Sequence, residues 1–220
     1  MGSLFCDDCR ADVVWVRKPV CEQCGRPQPT PVEKCADCRR RPPSLVRTRA
    51  ATLYLDPIRA AVRGLKYQNA FALAEPLANL MDEAWPLWQF PVDLVAPVPL
   101  HPERARKRGY NQAELLARHL VQLLGLEMRP DAVKRTRDTP PQTDLSGEAR
   151  IQNVQGAFQA DSTVVSGMHI LLIDDVQTTG ATLGASATAL LAAGALSVSG
   201  FCLSQATPMT HSLITSTPQT

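Results

Sequence analysis

The chain has 220 residues, 45% hydrophobic and 20% charged, which suits one full domain plus a smaller module. Charges or prolines interrupt every apolar run, excluding a bilayer-spanning helix, and "MGSLFCDDCR" lacks the basic and apolar regions of a secretion signal. The expected location is therefore the cytoplasm, without membrane insertion.

The net charge of +2 is uneven, because residues 1–50 carry ten Lys+Arg against six Asp+Glu. A basic head on a near-neutral body suits contact with nucleic acid or simple solvation. From Val176 to Thr220 there is no Asp, Glu, Lys or Arg, a pattern expected of buried structure followed by a loose tail.

In chain order, the first feature is cysteine. Six of the seven cysteines form three CxxC pairs: Cys6/Cys9, Cys21/Cys24 and Cys35/Cys38. Two knuckles complete a tetrahedral Zn²⁺ site, and in a short segment with little apolar content the metal replaces a core. Disulfides suit a secreted protein, and a redox CxxC would lie in a βαβ unit and would not come in triplicate. Structural zinc on Cys21, Cys24, Cys35 and Cys38 is the expectation, with Cys6 and Cys9 a remnant of a second site. Cys202 reads as a core thiol.

After "RRRPPS" the cysteines vanish, so the expected division is a zinc-ribbon head over 1–43, an α/β domain over 44–205 and a flexible tail over 206–220. "RTRAATLYL" reads as a strand. "DPIRAAVRGLKY" reads as a helix with Asp56 as N-cap and Pro57 at its first position. In "NAFALAEPLANLMDEAW", Pro76 marks a kink or a late helix start. "VDLVAPVP" suits a buried strand, and "NQAELLARHLVQLLG" a helix stopping at Gly125.

"LEMRPDAVKRT" has room for one or two short strands, and residues 136–150 form a proline-rich polar loop. "HILLID" is a buried strand, "ATLGASATALLAAGA" a helix and "LSVSGFCLS" a last strand. This alternation predicts a parallel sheet flanked by helices.

Ligands of such sheets bind beyond the strands' carboxyl ends, where "HILLIDDVQTTGATL" places Asp174 and Asp175. The following Thr178–Thr182 turn offers backbone N–H groups and small residues to a phosphate. It has no Walker lysine, which argues against ATP hydrolysis. The carboxylates suit vicinal sugar hydroxyls, or Mg²⁺ held near them; the plainer alternative is a helix cap beside a solvated aspartate. "LHPERARKRGY" adds Arg104, Arg106, Lys107 and Arg108 just before a helix, where guanidinium groups suit diphosphate oxygens.

"LLIDDVQTTGATL" closely resembles the phosphoribosyl-diphosphate (PRPP) signature of type I phosphoribosyltransferases. The resemblance assigns Asp174 and Asp175 to the ribose and to catalysis. It assigns Thr178, Thr179, Gly180, Ala181 and Thr182 to the 5′-phosphate, with Val176 and Gln177 completing the PRPP-binding stretch. Pyrophosphate contacts would come from Pro99, Leu100, Arg104 and Arg108. The implied reaction displaces pyrophosphate from the anomeric carbon, with Mg²⁺ neutralising the leaving group.

Together with "PVPLHPERARKRGYNQAE", "DTPPQTDLSGEARIQNVQGAF", "LKY" and the cysteine head, the chain resembles the ComF family of competence-associated, phosphoribosyltransferase-like proteins. It departs from that pattern in its incomplete cysteine set and at Asp144, where glycine is expected. The resemblance implies a role in DNA uptake, with PRPP, single-stranded DNA and a DNA helicase-translocase as candidate partners. A non-catalytic adaptor that retains the pocket is the alternative. Lys66, Tyr67, Gln142 and Arg150 are candidates for loop or acceptor contacts.

Overall fold

A computed structural model provides the fold, and the described residues are 5–137 and 153–207. The candidate contacts Gln142 and Arg150, the departure at Asp144 and the tail from residue 208 onward lie outside them.

Four strands form a wholly parallel sheet in the order β1-β6-β5-β2. They are β1 (Thr48–Leu53), β2 (Leu94–Pro97), β5 (His169–Gln177) and β6 (Ser197–Gln205). Their apolar runs are what a sheet covered on both faces requires, and Ile170, Leu171, Leu172, Ile173 and Phe201 are fully buried at its centre. A separate antiparallel pair joins β3 (Val133–Arg135) to β4 (Phe158–Ala160). Strand β4 has too few residues to show an alternating pattern, so the sequence did not announce it.

In helix α3 (Ile58–Tyr67), Ile58, Ala61, Val62 and Leu65 are buried, a spacing that puts them on one face. Its start differs from expectation. Pro57 occupies the N-cap, while Asp56 pairs with Arg59 one turn on. Helix α4 (Ala74–Ala84) begins late, after a 3₁₀ turn at Phe71–Leu73, so Pro76 lies in its first turn without kinking it.

The basic run is not a loop ahead of a helix. It forms its own short helix, α5 (Pro102–Arg108), opened by Pro102 and closed by Gly109 at φ +81°. In the next helix, α6 (Gln112–Leu124), the Asn111 carboxamide caps Ala113 N–H at 3.1 Å and donates to Val98 O at 3.0 Å. Helix α6 ends at Gly125, at φ +65°. Helix α7 (Ser162–Val165) precedes β5, and α8 (Ala181–Ala192) connects β5 to β6.

The N-terminal segment is bound into this body. Val16 N–H donates to Ala51 O, and Leu53 N–H donates to Val14 O. These bonds cover the free edge of β1, which would otherwise invite pairing with another chain. Val13, Val16, Val20 and Leu45 join the main core, whereas Cys21, Cys35 and Cys38 form a separate small one. Composition places the division at residue 43, but the packing of the head reaches across it.

Candidate functional site

Two short helices, α1 (Asp7–Ala11) and α2 (Ala36–Arg40), belong to the cysteine head. The Sγ atoms of Cys21, Cys24, Cys35 and Cys38 lie within 4.8 Å of one another, a tetrad suited to one tetrahedral ion. Burial pushes the Cys21 thiol up, but the N–H groups of Cys24, Cys35 and Gln23 bring it down to about 7. Burial and the Cys21 and Cys35 charges raise Cys24 to about 11, and burial and neighbouring thiolates also raise Cys38. A cation among the sulfurs removes this repulsion, so the donor set fits Zn²⁺. Cys6 stands apart, exposed, with its sulfur accepting the Cys9 N–H at 3.4 Å.

The knuckle sits tightly on the sheet. Gly25, at φ +72°, lies against β1 so closely that a Cβ there would fall 2.5 Å from Thr48 O. Arg49, 3% exposed, ion-pairs with Glu22 at 2.6 Å, donates to Glu22 O and stacks on the Trp88 ring.

The acidic pair does not terminate its strand. Strand β5 continues through Asp174 and Asp175 to Gln177, which pairs with Gln205 at the end of β6. Successive strand residues face opposite sides, so the two carboxylates have different surroundings. Asp175 is buried against α3, where its Oδ2 is 2.7 Å from Lys66 Nζ. Burial alone would lower the Lys66 pKa, yet the Asp175 charge and hydrogen bond raise it. Asp174 is partly exposed, and its Oδ1 accepts the Asp175 N–H at 2.9 Å. Burial, then the charge of Asp175, raises Asp174 to about 8.

Thr178, Thr179 and Gly180 make the turn, and α8 starts at Ala181 with Gly180 as its left-handed N-cap at φ +74°. Thr179 Oγ1 accepts the Ala181 N–H at 3.3 Å. Small residues at a helix start let an anionic ligand approach the backbone closely.

The end of α3 links this turn to the basic helix. Lys66 reaches Asp175, and the Arg108 guanidinium lies 5.6 Å over the Tyr67 ring while donating to Gln112 Oε1. Tyr110 donates to Leu65 O at 2.5 Å, and Val98 N–H donates to Ile173 O at 2.9 Å. Arg108 and the acidic pair therefore share the region around the end of α3. Pro99, Leu100 and Arg104 are partly exposed along the connection from β2. Tyr67 and Phe71 project into solvent, 68% and 60% exposed. Phe71 and Tyr110 pack edge to face beside an open cavity of about 540 Å³.

Gln205 carried no sequence signal. Its Nε2 and that of Gln177 both donate to Cys24 O at 3.2 Å. A lone glutamine in an apolar strand has no motif; only folding brings it to the knuckle.

These features define a parallel α/β domain with an acidic pair and a small-residue turn at its sheet end, carrying a thiolate metal centre in its head. Residues 1–39 match the double zinc ribbon domain. The chain is 34% identical over 205 residues to DNA utilization protein YhgH of Salmonella typhimurium, spanning 90% of this chain and 89% of the relative. It is 32% identical to Competence protein F of Haemophilus influenzae, over 75% of each chain. Identity to Competence protein ComFC of Bacillus subtilis is also 32%, over 90% of this chain and 82% of that one. The protein belongs to this family of DNA utilization and competence proteins, the ComF family. No helix among the described residues is long and apolar enough to cross a membrane.

Among solved structures, the glutamine PRPP amidotransferase from B. subtilis is similar at TM-score 0.42 and 20% identity, covering 60% of this chain and 26% of that one. Adenine phosphoribosyltransferase from Thermoanaerobacter pseudethanolicus is similar at TM-score 0.39 and 20% identity, covering 64% of this chain and 71% of that one.

Proposed function

We propose that the end of β5 binds PRPP and transfers its phosphoribosyl group to a nucleobase- or nucleotide-like acceptor in the service of DNA uptake. The observation that carries this reading is the placement of the Asp174–Asp175 pair near the end of β5, just before the small-residue turn that opens α8. Asp174, which burial and the Asp175 charge raise to about 8, lies four residues before the Thr178–Gly180 turn. A carboxyl group at this position suits hydrogen bonds with vicinal sugar hydroxyls, and the turn suits the 5′-phosphate.

In this reading Thr178–Thr182 hold the phosphate, with Val176 and Gln177 framing the turn. Asp174 and Asp175 orient the ribose and stabilise positive charge as the anomeric C–O bond lengthens. Lys66 fixes Asp175, while Arg104, Arg108, Pro99 and Leu100 accompany the diphosphate. The repulsion between Asp174 and Asp175 also fits a divalent cation, and Mg²⁺ bound there would neutralise the departing pyrophosphate. Titrating the full chain with PRPP and MgCl₂ in a calorimeter tests the proposal. Heat that disappears in Asp174→Ala is expected, and no heat at millimolar PRPP overturns it.

The exposed Tyr67, under the Arg108 guanidinium, and the exposed Phe71 favour a second reading. Exposed flat rings, one with a guanidinium over it, suit the stacked bases of single-stranded DNA, consistent with an adaptor that hands DNA to a helicase-translocase. Oligonucleotide anisotropy should then fall steeply with salt and weaken in Tyr67→Ala. Affinity that ignores salt, or survives Tyr67→Ala and Phe71→Ala together, refutes it.

A further inference from the structure

The Cys24 carbonyl is bound twice. Gln177, the last residue of β5, and Gln205, its register partner on β6, each donate an amide N–H to it at 3.2 Å. Both glutamines are buried, at 5% and 1% exposure, and each keeps a buried Oε1 without a partner. Reversing either amide would turn its oxygen against the Cys24 carbonyl. The carbonyl therefore fixes both orientations, at the expense of two unpaired acceptors. Two buried amides converging on one carbonyl constrain where the knuckle stands against the sheet end.

The position of Gln177 identifies that constraint. Its Nε2 lies 3.9 Å from where a Cβ of Gly180 would stand, so the amide fills the space between the turn and the knuckle. On the other side, the Cys24 sulfur belongs to the metal-binding tetrad. Gly25 against Thr48 O leaves the knuckle little room to move. One peptide unit thus has its sulfur in the metal centre and its carbonyl on the residue that precedes the phosphate-binding turn.

We infer that Gln177 and Gln205 are positioning residues through which the cysteine head sets the conformation of the Thr178–Thr182 turn. The metal site and the anion site are therefore thermodynamically coupled. The functional consequence rests on the PRPP reading of the turn, but the coupling itself does not. By linkage, whatever factor the loaded metal site adds to anion affinity, the anion returns to metal affinity. The head is then a built-in wall of the ligand site as well as a contact module, and loss of metal loosens the turn without touching a residue that binds ligand.

Hydrogen–deuterium exchange of the full, zinc-loaded chain tests this directly. Gln177 adjoins the turn, so Gln205→Met is the decisive variant. It keeps the side-chain volume and leaves the backbone pairing of β6 with β5 in place, including the Ala206 N–H bond to Gln177 O, so what it removes is the hydrogen bond to the Cys24 carbonyl. Amide exchange at Thr178–Thr182 should rise about tenfold in Gln205→Met, in Gln177→Met and on zinc removal, while α6 amides stay unchanged. Unchanged exchange at the turn in Gln205→Met, with zinc retained, overturns the inference.

Should Gln205→Met lose its metal, competition against a chromogenic chelator decides from the other side. Gly180→Ala, strained at φ +74°, should lower the zinc affinity of the wild-type head several-fold. An equal affinity refutes the coupling. If wild type binds no PRPP, the functional reading fails while exchange still decides the coupling. If PRPP binds equally with and without zinc, the coupling fails and the functional reading stands.

Discussion

Replacing Asp174 by Asn should stabilise the ligand-free protein while abolishing PRPP binding. Asparagine keeps the Oδ1 that accepts the Asp175 N–H, so only the charge is removed. In the folded state burial and the neighbouring Asp175 charge raise this carboxyl from 3.8 to about 8. An acid raised in this way holds its proton more tightly when folded. Wild type therefore loses stability as pH rises from about 4 to about 8, the interval in which only the unfolded chain has ionised.

Moving a carboxyl over that interval corresponds to at most about 5–6 kcal/mol. Asp174 retains some exposure and has Lys66 nearby, and water around a charge reduces such costs severalfold. An advantage of about 2 kcal/mol for Asp174→Asn at pH 8 is expected, or a rise in Tm of about 4–8 °C for a chain of this size. Thermal unfolding followed by circular dichroism from pH 4 to pH 8 reads the difference directly. The variant should match wild type at pH 4 and pull ahead as pH rises. Equal Tm values at pH 8, or a gap that does not change with pH, would refute the electrostatic account. Greater stability with retained PRPP binding would instead remove Asp174 from the ligand site, because a strained functional group is expected to trade stability for activity.

Lys66→Met leaves Asp175 buried without its partner at 2.7 Å and should cost about 3 kcal/mol in urea denaturation at pH 7. Because the Lys66 pKa is raised, the pair's contribution is full below about pH 10.4 and lost as pH rises beyond the folded value; a destabilisation that persists undiminished in strong alkali contradicts this. Gly25→Ala forces a Cβ to 2.5 Å from Thr48 O at a positive φ, and a loss of about 2–4 kcal/mol is expected in the same assay. Metal analysis should find one zinc per chain in wild type and in Cys6→Ser, but none in Cys38→Ser. Retention by Cys38→Ser would break the assigned tetrad.

Much of the site was legible because it is local. The run "LLIDDVQTTGAT" combines a buried strand, two acids and a turn of small residues without any long-range information. Likewise, the CxxC pairs and the gap between them led to the expectation of one ion on Cys21, Cys24, Cys35 and Cys38, whose sulfurs the fold brings together. The parallel sheet follows from apolar strands alternating with helices, since each strand must be covered on both faces.

Tertiary structure decided what depends on which elements meet. Lys66 and Asp175 are distant in sequence, and nothing in "LKY" names an aspartate as its partner. The basic run became a helix of its own because Pro102 and Gly109 suit its two ends, a cue that its charges overshadowed. Pro57 rather than Asp56 took the N-cap as the helix began one residue later, and Asp56 pairs with Arg59. Gln177 and Gln205 look like ordinary strand-end residues until β5 and β6 align side by side beneath the knuckle. Sequence alone pointed to the thiolate metal and to the phosphorylated sugar of the proposed function, because their chemistry lies in contiguous motifs. Only the fold joined them, because a hydrogen bond to a backbone carbonyl leaves no trace in the identity of the residue that bears it.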